Sequence, residues 1–245
     1  MIVAVLPTRN EAENVGSLTA DLRARGYAVV VVDDASTDAT RPIVAAMAAR
    51  DPHVVLIERP GKMGRGSAIR DGFAEGLLRW PEASAFVEMD ADRSHDPDDI
   101  ARLAQTQAVT GADAVVACRY MEGGGVSGWP LRRRAWSAFS NLIIRLLLNL
   151  PVPDATNGYR LYTRATARFL VGFGARETGY ITLSESIDAI RRAGGAITGI
   201  PSHFKNRTEG TSKTGPAEAI NALRGVLRIR FRPVAVRPLT TEEPR

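Results

Sequence analysis

Five aspartates, Asp90, Asp92, Asp96, Asp98 and Asp99, fall within ten residues shortly after the apolar run Ala85-Phe86-Val87. Asp90 and Asp92 are two apart, so in extended backbone their carboxylates share a face. Two hard oxygen ligands at the end of a strand suit Mg2+ or Mn2+, with a diphosphate completing the shell. Asp96, Asp98 and Asp99 flank Pro97 and match the first turn of a helix, where acids favour the dipole. Two other polar clusters follow apolar runs in the same way: Pro7-Thr8-Arg9-Asn10-Glu11 and Asp33-Asp34-Ala35-Ser36-Thr37-Asp38. Ser36 and Asp38 read equally well as helix caps. In open parallel sheets, ligands bind outside the carboxyl ends of the strands, so three such clusters point to one shared site.

The elements that must position these clusters come from the periodicity. Short β-branched runs at Ile2–Leu6, Ala28–Val32, Val54–Ile57, Ala85–Met89 and Ala114–Ala117 alternate with amphipathic segments near Glu11–Arg25, Thr37–Arg50, Gly66–Arg79 and Asp98–Thr110. Near-continuous apolar strands separated by helices predict an α/β fold, a mostly parallel sheet with helices on both faces. After Tyr120 the rhythm changes. Glu122-Gly123-Gly124-Gly125 predicts a hinge, followed by a basic helix over Leu131–Leu150. A Pro-Val-Pro break, an irregular segment through Arg160, two further helices and a loop at Phe204–Gly215 follow. Residues 1–232 read as one domain, a ligand-binding half over 1–120 and a second-substrate half over 121–232. The polar, proline-containing end, 233–245, is expected to be disordered.

Bulk composition narrows the class. The chain has 245 residues, 44% hydrophobic and 24% charged, as ordinary globular proteins do. A single cysteine, Cys118, excludes a disulfide framework and fits a reducing compartment. The N-terminus MIVAVLP lacks a basic leader, and no apolar run reaches the ~20 residues of a membrane span. The expected location is therefore cytoplasmic, soluble or peripheral to a membrane. A net charge of +5 points to an anionic partner. Aromatics are not interleaved with the arginines, which argues against nucleic acid. The three histidines, His53, His95 and His203, are too scattered to form a metal cluster.

The second half carries its own polar pattern. Arg133, Ser137, Asn141 and Arg145 recur every four residues, forming one polar stripe on an otherwise apolar helix. Such a stripe either faces an anion or is simply solvated. Arg224, Arg228, Arg230 and Arg232 decorate a further apolar pattern in the manner of an interfacial helix, or of a solvated one. Asp154 and Glu185 are available as a base or as arginine partners, and pairing is the favoured reading.

Together these segments resemble the inverting family-2 glycosyltransferases of GT-A fold, and among them the dolichol-phosphate mannosyltransferases (polyprenol monophosphomannose synthases). The resemblance is carried by PTRNEAEN (7–14), VVDDASTDAT (31–40), GKMGRGSA (61–68), EMDADRSHDPDDI (88–100), CRYMEGGG (118–125), GWPLRRRAWSAFSN (128–141), DATNGYRLY (154–162), GYITLSE (179–185) and FKNRTEGTSK (204–213). The first four blocks are common to family 2; the later ones are specific to the polyprenyl-phosphate branch. The resemblance implies that Pro7, Arg9, Glu11, Val32 and Asp34 line a nucleoside pocket. It implies that Asp90, Ala91, Asp92 and Ser94 meet the donor diphosphate, with Asp90 and Asp92 holding Mg2+ or Mn2+. Arg119, Arg133, Ser137, Arg207 and Lys213 would hold the donor and acceptor phosphates. Asp92, Arg119 and Arg133 are thus the expected catalytic residues. The chain departs from the pattern at Arg65 and Arg93, where leucine is usual, at Ala35, where glycine is usual, and at Thr178, where some members have lysine.

The implied reaction moves a hexose, mannose first, from a nucleotide-diphospho-sugar, GDP-mannose first, to a polyprenyl or dolichyl monophosphate at a membrane surface. No oligomeric state is implied. Two rival readings remain at this point: transfer to a sugar hydroxyl, which needs a carboxylate base, and a non-catalytic nucleotide-sugar-binding module.

Overall fold

The computed structural model describes residues 1–177, 179–206, 216–232 and 239, with the side chains of 216–223 excepted. Five parallel-strand candidates form as expected: β1 (Ile2–Thr8), β2 (Ala28–Asp33), β3 (Val54–Glu58), β4 (Ala85–Glu88) and β5 (Ala114–Cys118). Between them run α1 (Val15–Ala24), α2 (Thr40–Ala48), α3 (Arg65–Arg79) and α4 (Asp99–Thr110). The remaining elements are β6 (Gly125–Ser127), α5 (Leu131–Leu148), β7 (Arg160–Thr163), α6 (Arg164–Phe173), α7 (Ile181–Arg192), β8 (Ile197–Pro201), β9 (His203–Lys205) and α8 (Pro216–Phe231).

The main sheet has seven strands in the order β3-β2-β1-β4-β7-β5-β8, and β7 alone runs against both neighbours. Side-chain alternation along the strands splits the core. Val3, Val5, Val30, Val32 and Phe86 join Phe73, Ile144 and Ile187 on one face. Ala4, Leu6, Val29, Val31 and Val87 join Leu18, Ile100 and Leu103 on the other. Gly72 is required for this closeness: a Cβ there would lie 2.3 Å from Val5 Cγ1, so α3 could not rest on β1. At ~25 cal/mol per Å2 of apolar area removed from water, these two buried layers are the main stabilising term.

Four elements of the second half depart from the sequence expectation. The segment through Arg160, expected to be irregular, becomes β7, inserted between β4 and β5. Its first residue is an arginine, which disguises a central strand. Arg160 is fully buried, and Asn157 O, Ala155 O and Leu183 O accept from its guanidinium at 2.7–2.9 Å. A buried arginine is tolerated when its donors are consumed in this way. β8 extends the sheet beside β5, and β6 pairs with β9 in a small parallel ribbon over the carboxyl edge. Arg207, Lys213 and Thr178 lie outside the described residues, as does the tail 233–245 except for Leu239.

Candidate active site

The three clusters meet at the carboxyl edge formed by β1, β2 and β4. Thr8 N-terminal to Arg9 and Asn10 ends β1, and Asp34 N donates to Thr8 O at 2.8 Å, locking the first two clusters together. Val32 is buried, Pro7 is half-buried and Arg9 is exposed. Asp34, expected to line a nucleoside pocket, accepts through its two carboxylate oxygens from Arg59 Nη1 (2.8 Å), Met63 N (2.8 Å) and Gly64 N (2.9 Å). Asp34 therefore fixes the loop before α3 over the edge, and Arg59, unmarked in the sequence, becomes a buried partner. Asp33, also buried, accepts from Arg41 Nε and Ser36 N. Asp38 accepts from Thr40 N and Ala12 N, a structural role.

The aspartate cluster after β4 divides as its spacing suggested. Asp96 accepts from Asp98 N, Asp98 from Arg25, and Asp99 from Arg102 and Ser202 Oγ. These three anchor the start of α4. Asp90 and Asp92 stand apart from them, with Ala91 buried between. Asp92 Oδ1 accepts from Ser94 N at 3.0 Å. Asp90 Oδ1 accepts from Arg65 Nε at 2.9 Å, and its Oδ2 faces His95 Nε2 at 3.7 Å. Burial works against the charged form of Asp90, but the Arg65 guanidinium, with help from His95, outweighs it and holds the carboxyl well below the usual range. Ser94 Oγ and both His95 ring nitrogens are buried without a hydrogen-bond partner among the described residues.

That donor set fits a divalent cation. Two carboxylates at a strand end, beside a buried orphan hydroxyl, are hard oxygen donors of the kind Mg2+ uses together with substrate phosphates. Among the described residues no three His, Cys, Asp or Glu side chains converge as an all-protein metal cage. The ion's remaining ligands would thus have to come from a phosphate and water.

Arg65 and Arg93, two of the four departures, are each held by partners within the protein. Arg65 is enclosed by Asp90, Glu88 (3.2 Å) and Gly158 O (3.0 Å). Arg93 reaches back to α1, bonding Asp21 and Ser17 at 2.9 Å each. Both Arg93 and Ala35 have positive φ, 58° and 64°. Ala35 thus keeps the backbone shape that explains why a glycine is the usual residue there.

The acceptor-side residues assemble next to the aspartates. Arg119, at the end of β5, forms a bidentate pair with Asp154 (2.7 and 2.8 Å) and donates to Thr156 Oγ1 at 2.9 Å. Asp154 also accepts from the backbone N–H of Arg119, Thr156 and Asn157. Burial opposes the charge on both partners, but the facing charges win, so Asp154 sits below its ordinary pKa and Arg119 above. Asn141 of the α5 stripe braces the same loop through Ala155 N and Thr156 Oγ1. Ser137 accepts from Tyr120 OH at 2.6 Å. Arg133 lies 4.0 Å over the Trp129 ring, which contacts Phe204, which in turn contacts His95. Arg145 is exposed at the far end of the stripe. Lys205 N donates to Ser94 O at 3.0 Å, so the segment leading to Arg207 and Lys213 starts beside the aspartates.

Glu185 is 2% exposed and accepts from Arg232 and from the N–H groups of Arg176 and Glu177. Neither it nor Asp154 is placed to take a proton from a substrate. The Arg224–Arg232 run is not a uniform cationic face: Arg228 and Arg232 are tied to Glu177, although Arg228, like Arg224 and Arg230, remains exposed. Burial, with Asp154 beside it, pushes the Cys118 thiol up to about 12, so it is a packing residue. Exposed apolar side chains gather on α5, at Leu131, Trp136, Phe139, Leu142 and Leu146, each 48–78% exposed, and α8 adds Leu227 and Phe231. No described helix is long and apolar enough to cross a membrane.

Comparison with known proteins agrees with this geometry. The undecaprenyl-phosphate mannosyltransferase of Micrococcus luteus is 36% identical over 214 residues, covering 86% of each chain. The polyprenol monophosphomannose synthase of Mycolicibacterium smegmatis is 35% identical, covering 86% of this chain and 80% of the relative. Among solved structures, glucosyl-3-phosphoglycerate synthase from Mycobacterium tuberculosis, in complex with Mn2+, UDP-glucose and phosphoglyceric acid, superposes with TM-score 0.66 at 18% identity. That match covers 96% of this chain and 81% of the other. A mannosyltransferase from Pyrobaculum calidifontis in complex with GDP-Man and Mn2+ gives 0.56 at 16%, covering 94% and 70%. These neighbours fix the fold as GT-A. The family model for Glycosyl transferase family 2 matches residues 3–169. With most of its length matched by both family model and relatives, the chain belongs to glycosyl transferase family 2.

Proposed function

We propose that this enzyme transfers mannose from GDP-mannose to the phosphate oxygen of a polyprenyl monophosphate, with inversion at the anomeric carbon. The observation that carries the acceptor class is the sealing of Asp154 and Glu185 by arginines. A sugar hydroxyl would need a base. A phosphate monoester is already mostly ionised at pH 7, its second pKa being about 6, so it needs cations and positioning instead. The curated relatives are named for the same lipid-phosphate reaction, which supports the reading.

In this mechanism Asp34, through the Met63–Gly64 loop, shapes the nucleoside side, together with Pro7, Arg9, Glu11 and Val32. Asp92 and Asp90, with Ala91 and Ser94 beside them, face the donor diphosphate and would hold Mg2+ or Mn2+ there. Such an ion supplies Lewis-acid stabilisation of charge on the leaving diphosphate. Arg133 and Ser137, with Arg207 and Lys213 from the adjoining segment, hold the acceptor phosphate for in-line attack. Arg119 keeps the Asp154–Thr156 loop rigid beneath them, acting through position rather than contact. The exposed α5 face, with Trp136 and Phe139 in contact with each other, provides the surface that rests on a membrane and delivers the lipid tail. The enzyme is therefore peripheral at the cytoplasmic membrane face.

The test is a donor panel with one short polyprenyl phosphate and Mn2+ or Mg2+. GDP-mannose is expected to label the lipid fraction fastest. Faster labelling from a UDP-sugar would overturn the donor assignment, and no lipid labelling from any donor would overturn the function.

A further inference from the structure

Arg65 is a buried cation that the reaction as described leaves without a role. It opens α3 at the carboxyl edge with its side chain only 19% exposed. All three guanidinium nitrogens are committed: Nε to Asp90 (2.9 Å), Nη1 to Glu88 (3.2 Å) and Nη2 to Gly158 O (3.0 Å). The seat is built for it. A Cβ on Gly158 would stand 2.2 Å from Nη2, so the turn before β7 accepts the guanidinium only as glycine. Arg65 lies between Glu88 and Asp90, and Arg160 Nε stands 3.8 Å from Glu88, so two guanidinium groups already face these two carboxylates. A divalent cation arriving alone would add to that positive charge.

We propose that Arg65 is a positioning residue that occupies Asp90 and keeps the nucleotide-free enzyme's affinity for divalent cations low. Tight cation binding then requires a nucleoside diphosphate, whose negative charge compensates the guanidinium and the ion together. The inference rests on the reading of Asp90 and Asp92 as the cation's carboxylates. Its physical basis is that two cations drawn to one carboxylate disfavour each other, most strongly in a desolvated site. Because binding free energies are reciprocal, the diphosphate raises cation affinity by the same factor that the cation raises diphosphate affinity. Arg65 enlarges that factor by lowering the cation-only term.

The experiment is a Mn2+ titration followed by the electron paramagnetic resonance signal of the free ion, with and without GDP. It uses the wild type, Arg65→Leu, Gly158→Ala, Asp92→Asn and the Arg65→Leu/Asp90→Asn double variant, each checked for folding by thermal melt. Gly158→Ala displaces the guanidinium without removing a charge, so it carries the test if Arg65→Leu folds poorly. Without GDP, Arg65→Leu and Gly158→Ala are expected to bind Mn2+ about tenfold more tightly than wild type, and Asp90→Asn to cancel the gain of Arg65→Leu. The enhancement by GDP should shrink correspondingly. Unchanged or weaker Mn2+ binding in both single variants, with Asp92→Asn still losing the ion, overturns the role of Arg65 alone. Asp92→Asn binding Mn2+ with GDP as tightly as wild type overturns the carboxylate assignment itself.

Discussion

Two of the arginine–aspartate pairs at the site, the buried Arg119–Asp154 and the less buried Arg65–Asp90, are built differently. In the Arg119–Asp154 corner the pair is bidentate, and Asp154 accepts backbone N–H groups as well. In the Arg65–Asp90 corner one Asp90 oxygen has a single charged donor and the other faces His95 at 3.7 Å. A saturated buried pair is scaffold, because removing one partner strands the other's charge. An unsaturated pair at a ligand edge retains binding capacity. On the proposed function, the difference separates a residue that braces the Asp154–Thr156 loop from carboxylates left open to a ligand.

Breaking each corner should therefore give opposite signatures. Asp92→Ala is expected to lower transfer by about a thousandfold or more, the scale of losing a charge-stabilising contact in the transition state, with little change in the melt. Initial rates and a melt on the same preparation check it. Asp154→Asn should do the reverse, destabilising the fold by about 3–5 kcal/mol in urea titrations at pH 7. Its pH dependence follows from the depressed Asp154 pKa. Stability from a carboxylate held low is present above the unfolded pKa of about 3.9 and is lost as pH falls through the folded value. The gap between wild type and Asp154→Asn should thus be flat from pH 8 to about 5 and narrow below about 4. A gap that widens in acid would contradict the pairing.

Arg133→Ala tests the open side of the acceptor corner. Arg133 rests on Trp129 and has no carboxylate partner among the described residues, so its charge is available to a phosphate. Its loss should raise the acceptor KM or lower kcat by about 10–100-fold, the range of a charged hydrogen bond, while GDP affinity stays within about twofold. Steady-state kinetics at varied lipid phosphate decide it. The smallest expected effect is at Ala35. Its φ of 64° costs an alanine about 1 kcal/mol more than a glycine, so Ala35→Gly should raise the melting temperature by a few degrees.

The parallel half of the sheet was legible because its strands carry unbroken apolar runs, as in Ala28–Val32, every residue of which is buried. The division of the five aspartates was legible too, since Pro97 marks a helix start. β7 was not, because a strand that opens on a buried arginine lacks the apolar signature. The partners of the site acids were equally hidden. Arg59 lies 25 residues from Asp34, and Arg65 meets Gly158 across 93 residues. Only the assembled sheet edge makes those neighbours. The pairing of Arg228 and Arg232 with Glu177 and Glu185 was hidden for the same reason.

The central claim is that the acceptor arrives already ionised, so that no protein base is needed. The most direct measurement offers the enzyme equimolar polyprenyl phosphate and the corresponding polyprenol, with radiolabelled GDP-mannose and Mn2+, and follows label into each lipid. The account predicts label in the phosphate product alone. Comparable labelling of the polyprenol would require a base that Asp154 and Glu185 are not free to be, and would contradict it.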